Sequence, residues 1–339
     1  MNSILCFGEF LFRFSPDMQG NWLKYNTLPF FVGGAELNVA AALANWELPI
    51  HYCSALPENY LSHQITDYLK QKQINTSKVY YHGNRIGSYF LPADADLKHQ
   101  SVIYDRSNSS FAMLEPGMID WDEVLEGVNW FHFSAISPAL SESVAKVCEE
   151  ALIVAARKKI TVSVDLNYRN KLWQYGKNCN EIMPGLVKYC DVIMGNIWSA
   201  SMMLDIPVAE QLGQKNNKES YIEQSMQTSL RVAENYPKSK VVANTFRFEE
   251  GLKINYYATL FSGNKLLVSQ EYFSDKILDK VGSGDCFMAG LIYGYFHELP
   301  EQDILEFATA AAFEKLFVKG DSTNKTAAEI NAAIKKKND

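Results

Sequence analysis

The sequence predicts an α/β fold: a mostly parallel central sheet flanked by helices, with a small β-sheet lid. Two observations carry this expectation. Apolar runs at Trp130 to Ser134, Thr161 to Val164, Val192 to Met194 and Val241 to Ala243 alternate with longer helical patterns, the pattern of right-handed βαβ units. Between about Val79 and Arg106 the texture changes to brief β-type runs, Tyr80-Tyr81, Ser88 to Leu91 and Val102 to Tyr104, broken by Gly, Asn, Asp and Pro. These predict a small antiparallel sheet apart from the main one.

Taken in order, Ile4 to Phe7 is a short apolar run ending at Gly8, and Phe10, Phe12 and Phe14 alternate with Leu11 and Arg13 at strand period. Two strands are therefore expected to open the chain. From Gly34 to Pro49 small and apolar residues recur at helical spacing, with Val39, Ala42, Leu43 and Trp46 on one stripe. The last third reads as helices from Gly284 through Tyr295, Glu301 to Phe317 and Ala327 to Lys337, and Lys335 to Lys337 suit a solvated helix end.

Composition narrows the class. Among 339 residues, 47% are hydrophobic and 21% charged, so the chain has ample apolar material for a core. With 32 Lys and Arg against 39 Asp and Glu, the net charge of −7 argues against a chain that coats nucleic acid or anionic lipid. Any anionic ligand must be held by local groups. Six separated cysteines without a CxxC pair fit reduced thiols. Glu9 interrupts the first apolar run, so no export signal is expected and a cytoplasmic location is.

The sharpest chemical segment is Asp279-Lys280-Val281-Gly282-Ser283-Gly284-Asp285, a glycine-rich turn opening an apolar helix. Gly282, Ser283 and Gly284 form a prospective anion hole, because amides at a helix start lack intrahelical acceptors and the dipole favours negative charge. Asp285 then falls beside a bound phosphate, where it can take a proton from an attacking hydroxyl. The same spacing suits a helix cap in which Asp285 only complements the dipole. A dinucleotide fingerprint would need glycine where Phe287 stands, and no P-loop or protein-kinase motif occurs. Cys286 and His132 are expected to pack.

The chain resembles the ribokinase-like, or PfkB-type, carbohydrate kinases. Asp279, Gly282, Gly284, Asp285 and Phe287 match the D-x-x-G-x-G-D-x-F signature, and Gly33, Gly34, Asn38 and Ala40 match an early G-G-x-x-x-N-x-A element. The resemblance covers the whole chain, read as a single kinase domain over 1–339 with lid strands within about 10–31 and 79–110. It implies ATP and Mg²⁺ as cofactors, Asp285 as base, and Gly33, Gly34 and Asn38 in the sugar pocket. It also implies a homodimer paired through the lid.

Within the family, Tyr89 and the Tyr104-Asp105-Arg106 run, together with the D-x-N-x-R-x-x-L-W segment at Asp165 to Trp173, are similar to the branch acting on 2-keto-3-deoxygluconate. A sugar acid needs cations, for which Arg106 and Arg169 are the candidates. Fructokinases share the second segment, so fructose stays open as a substrate. On the nucleotide side Asn196 and Thr245 carry over. Ser199 stands where the family has the glutamate of N-x-x-E, leaving the metal ligands open, and Arg247 stands where it has a glycine, where it either meets phosphate or crowds the pocket. These departures keep a catalytically silent sugar-acid sensor as an alternative.

Overall fold

The structure, a computed structural model, describes residues 2–15, 27–92, 102–212, 217–251 and 253–338. Its strands are β1 (Ser3–Phe7), β2 (Leu11–Phe14), β3 (Phe30–Gly33), β4 (Ile50–Leu56), β5 (Ile74–Tyr81), β6 (Gly87–Phe90), β7 (Ile103–Asp105), β8 (Val128–Ser134), β9 (Thr161–Asp165), β10 (Val192–Gly195), β11 (Val241–Glu250), β12 (Lys253–Ser262), β13 (Lys265–Val268) and β14 (Tyr272–Ser274). The main sheet runs β13-β12-β11-β10-β9-β8-β1-β4-β5, with β14 also paired to β12. From β11 to β5 every neighbouring pair is parallel.

Parallel strands buried on both faces need apolar residues on both, and β1 is buried along its whole length. One core places the helices Ala35–Asn45, Ser283–Phe296 and Glu301–Lys315 against one face, through residues such as Leu43, Phe287, Ile292 and Phe307. A second core packs Glu142–Arg157, Cys179–Val187 and Ile197–Leu204 against the other, through Phe131, Val147, Met183 and Met203.

The small sheet is β3-β2-β6-β7. Its outer pairings are antiparallel and its central pairing, β2 with β6, is parallel. Tyr80 and Tyr81, expected in this sheet, belong instead to β5 of the main sheet, paired with Ala55 and Leu56 of β4. The brief apolar run expected at Val241 to Ala243 extends into a ten-residue strand, because β12 folds back on it in an unbroken antiparallel register. Parts of the two ranges expected to form the lid, 16–26 and 93–101, lie outside the described residues.

Among the described residues no helix is long and apolar enough to cross a membrane. All six cysteines are free and buried. His132 packs as expected, with Nδ1 3.0 Å from the Ser163 hydroxyl, and burial pushes it down to about 3.

The chain leaves β1 in one direction toward β4 and β5, and returns at β8 to build β9, β10 and β11 on the other side. The crevice at such a reversal, beyond the carboxyl ends of the strands, is where this class of sheet holds ligands.

Candidate active site

A cleft occupies that crevice. Ile136 after β8, Asp165 to Arg169 from the end of β9, and Met194 to Asn196 from the end of β10 form its floor. Leu11, Tyr89, Tyr104 and Arg106 come from the small sheet and its flank, and Lys280 to Asp285 from the glycine-rich turn. Gly34, Asn38, Thr245, Arg247 and Ser199 complete the wall. Every site residue expected from the sequence lines this cleft except Gly33, which ends β3 beside it.

The turn is held by close backbone approach. Gly282 is the N-cap of Ser283–Phe296 with φ 79°, and a Cβ there would lie 1.7 Å from the Asp321 carbonyl oxygen. Only glycine fits. Gly33 meets the same residue from the other side, since a Cβ on it would lie 2.3 Å from Asp321 Oδ2. Both motif glycines thus close on Asp321, which the sequence reading missed. At Gly284 a Cβ would meet only Met194 Cε, at 4.0 Å. That glycine leaves an open cradle beside the first-turn amides, whereas the Ser283 hydroxyl donates away from it to the Ala312 carbonyl.

Asp285 sits in the first helical turn, buried, and its Oδ2 accepts a hydrogen bond from Asn38 Nδ2 at 2.7 Å. Burial pushes its carboxyl up to about 7, against the lowering effects of the Asn38 bond and the Arg169 charge. Asp165, at the end of β9, is held well above the ordinary carboxylate range by burial and by the nearby Asp285 charge. A carboxyl poised near neutrality, in a cleft beside unpaired amides, suits proton abstraction from a hydroxyl as charge builds on an adjacent anion.

Two of the residues expected to contact a sugar acid also hold partners within the protein. Arg106 is buried and its Nε and Nη2 both lie 2.6 Å from Glu9 Oε2, so its charge is balanced inside the protein. Glu9 read in the sequence only as a break in an apolar run. The Tyr89 hydroxyl donates to Asp321 Oδ2 at 2.8 Å, and the ring packs with Leu11, Leu91, Val102 and Val281. Arg169 is half-buried; it donates to the Tyr168 carbonyl, and its field reaches both Asp165 and Asp285.

On the opposite arm, Asn196 caps Ile197–Leu204 by accepting from the Ser199 amide at 2.8 Å. Among the described residues no group of three or more His, Cys, Asp or Glu side chains is gathered to hold a metal.

A family model described as pfkB family carbohydrate kinase matches residues 1–328. The structure resembles a solved 2-dehydro-3-deoxygluconokinase from Thermotoga maritima, at 32% identity over 99% of this chain and 98% of that one, with a TM-score of 0.88. It also resembles a solved PfkB family carbohydrate kinase from Listeria grayi, at 27% identity over 99% and 100% of the two chains, with a TM-score of 0.85. Among curated sequences, a 2-dehydro-3-deoxygalactonokinase from Haloferax volcanii is 24% identical over 332 residues, covering 98% of this chain and 96% of the relative.

Proposed function

The chain belongs to the pfkB family of carbohydrate kinases, and from that membership we propose that it transfers the γ-phosphoryl group of ATP to the terminal hydroxyl of 2-keto-3-deoxygluconate. The product is 2-keto-3-deoxy-6-phosphogluconate. The observation that carries the chemistry is Asp285: a buried carboxyl, pushed up to about 7, in the same cleft as the open amides of a helix start.

Asp285 takes the proton of the acceptor hydroxyl as its oxygen attacks the γ-phosphorus and the bond to the leaving ADP breaks. The amides of the 282–284 turn meet the charge on the transferring group. The small sheet covers the sugar arm and excludes water that would otherwise accept the phosphoryl group. Mg²⁺ carried on the nucleotide's phosphates would be faced by Asn196 and Ser199, neutral polar side chains of the cleft. Bound so, the ion would neutralise part of the phosphate charge.

Substrate choice follows from charge. Two of the relatives are named for 3-deoxy-2-keto sugar acids, and a carboxylate needs an unspent cation. Arg169 is assigned that charge, with Tyr104 and the neutral Arg106–Glu9 pair orienting the acid from the lid side. A spectrophotometric assay of ADP release across 2-keto-3-deoxygluconate, 2-keto-3-deoxygalactonate, fructose, ribose and adenosine tests this. The sugar acids should turn over fastest, and Arg169→Ala should cost them more than it costs fructose. Equal rates on fructose would defeat the substrate assignment.

A homodimer through the lid belongs to the same proposal. Phe30 on β3 and Ile103 on β7, both edge strands, are each 59% exposed, an apolar surface that a second copy would cover. Sedimentation as a monomer at micromolar concentration would remove it.

A further inference from the structure

We propose that Arg247 and Lys280 form a clamp for the terminal phosphates of the nucleotide, held ready in the cleft by a shared carboxylate, Glu249. This rests on the proposed binding of ATP in the cleft and adds the groups that hold it. Arg247 lies on β11 two residues beyond Thr245, Lys280 lies two residues before Gly282, and both line the cleft with the anion-hole turn. Arg247 Nε is 3.2 Å from Glu249 Oε1, and Lys280 Nζ contacts Glu249 Oε2.

Charge makes the arrangement informative. Both cations line a cleft that already holds Asp165 and Asp285, in a chain of net charge −7. The other two cleft arginines are placed elsewhere: Arg106 is balanced by Glu9, and Arg169 stands by the two aspartates. Arg247 and Lys280 are the cations that line the arm also holding Thr245 and the start of the turn. Both are largely shielded, with side chains 13% and 17% exposed, so their fields act at lower effective dielectric than those of surface pairs.

The chemistry fits a polyphosphate. A guanidinium offers planar paired donors to phosphate oxygens and an ammonium offers a compact point charge. Glu249 prearranges both, and when an arriving phosphate takes its place the displaced carboxylate, 30% exposed, is solvated by water. Ser199 and Asn196 across the arm are neutral, so they give hydrogen bonds and no countercharge.

Calorimetric titration of the full chain with Mg²⁺ and a non-hydrolysable β,γ-imido ATP, without sugar, tests the clamp. Arg247→Ala and Lys280→Ala should each weaken binding about tenfold or more, Arg247→Lys should recover part of the loss, and Glu249→Gln should bind at least as tightly as wild type. In turnover the nucleotide KM should rise while the sugar KM stays within twofold. Thermal melts matching wild type establish that the variants are folded. Binding within twofold of wild type in both alanine variants overturns the clamp and leaves the sugar assignment standing. Wild-type binding of the nucleotide without turnover of any sugar acid does the reverse.

Discussion

Asn38 and Asp285, 247 residues apart in the chain, meet in the cleft with the amide nitrogen 2.7 Å from the carboxylate oxygen. That bond opposes the burial that raises Asp285 toward 7. Asn38→Ala should therefore push the base higher still, by about one pH unit for the loss of one such bond. A base works deprotonated, so the acid limb of kcat/KM should lie near pH 7 in wild type and shift alkaline in the variant, with most of the activity regained near pH 9. An unmoved limb would show that Asn38 does not tune the base.

Asp285 should cost stability to the extent that it serves catalysis. In the unfolded chain its carboxyl titrates near 4 and in the fold near 7. Between those values the folded state keeps a proton that the unfolded state has released, so stability falls as pH rises, and the penalty is complete above 7. Asp285→Asn removes the buried charge. Its Tm should exceed that of wild type most at pH 8, by less at pH 5, and match it only below about pH 4, while kcat falls about 10²–10⁴-fold. A Tm difference independent of pH would contradict the buried-charge account.

The two glycines of the anion hole should fail differently. Gly282→Ala places a side chain at φ 79° and against the Asp321 carbonyl, so it should lose stability, by at least about 1–2 kcal/mol for the backbone alone. Gly284→Ala points a methyl into open space beside the amides, so it should melt like wild type and lose turnover. Denaturation curves and kcat measured on both variants separate conformational need from room for the phosphoryl group.

The motifs were legible in the sequence because each is local: a glycine turn entering a helix, a glycine pair entering another, and polar residues at the ends of apolar strands. Their convergence was also legible, since residues after parallel strands meet at one edge of the sheet. What the sequence concealed is the set of buried pairings that cross elements. Glu9 looked like an interruption and is the partner of Arg106; Arg13 looked like the polar beat of an alternating strand. Asp321 lies in no motif, although Gly33, Gly282, Tyr89 and Arg13 all close on it. Such partners are fixed by tertiary closure, and no spacing rule encodes them.

Arg13 carries the last prediction, because it fastens the lid to the turn. From β2 its Nη2 lies 2.6 Å from Asp279 Oδ2 and its Nε 2.7 Å from Asp321 Oδ1. Asp279 in turn accepts from the amides of Val281 and Gly320, so one guanidinium joins the small sheet, the anion-hole turn and the Gly320–Asp321 backbone. Arg13→Met keeps an apolar stem but removes the guanidinium that lies over the Phe31 ring; it strands the buried Asp321 and the partly buried Asp279, and breaking a buried pair on one side costs about 3–5 kcal/mol. Burial already raises the Asp321 carboxyl, and the Arg13 charge is what holds it down. Without that charge Asp321 should take a proton more readily, so the deficit should be full at pH 8 and shrink toward pH 5, where a protonated carboxyl no longer needs a cation. Denaturant titrations at the two pH values check it. An equal deficit at both would mean that Arg13 serves the fold by packing alone.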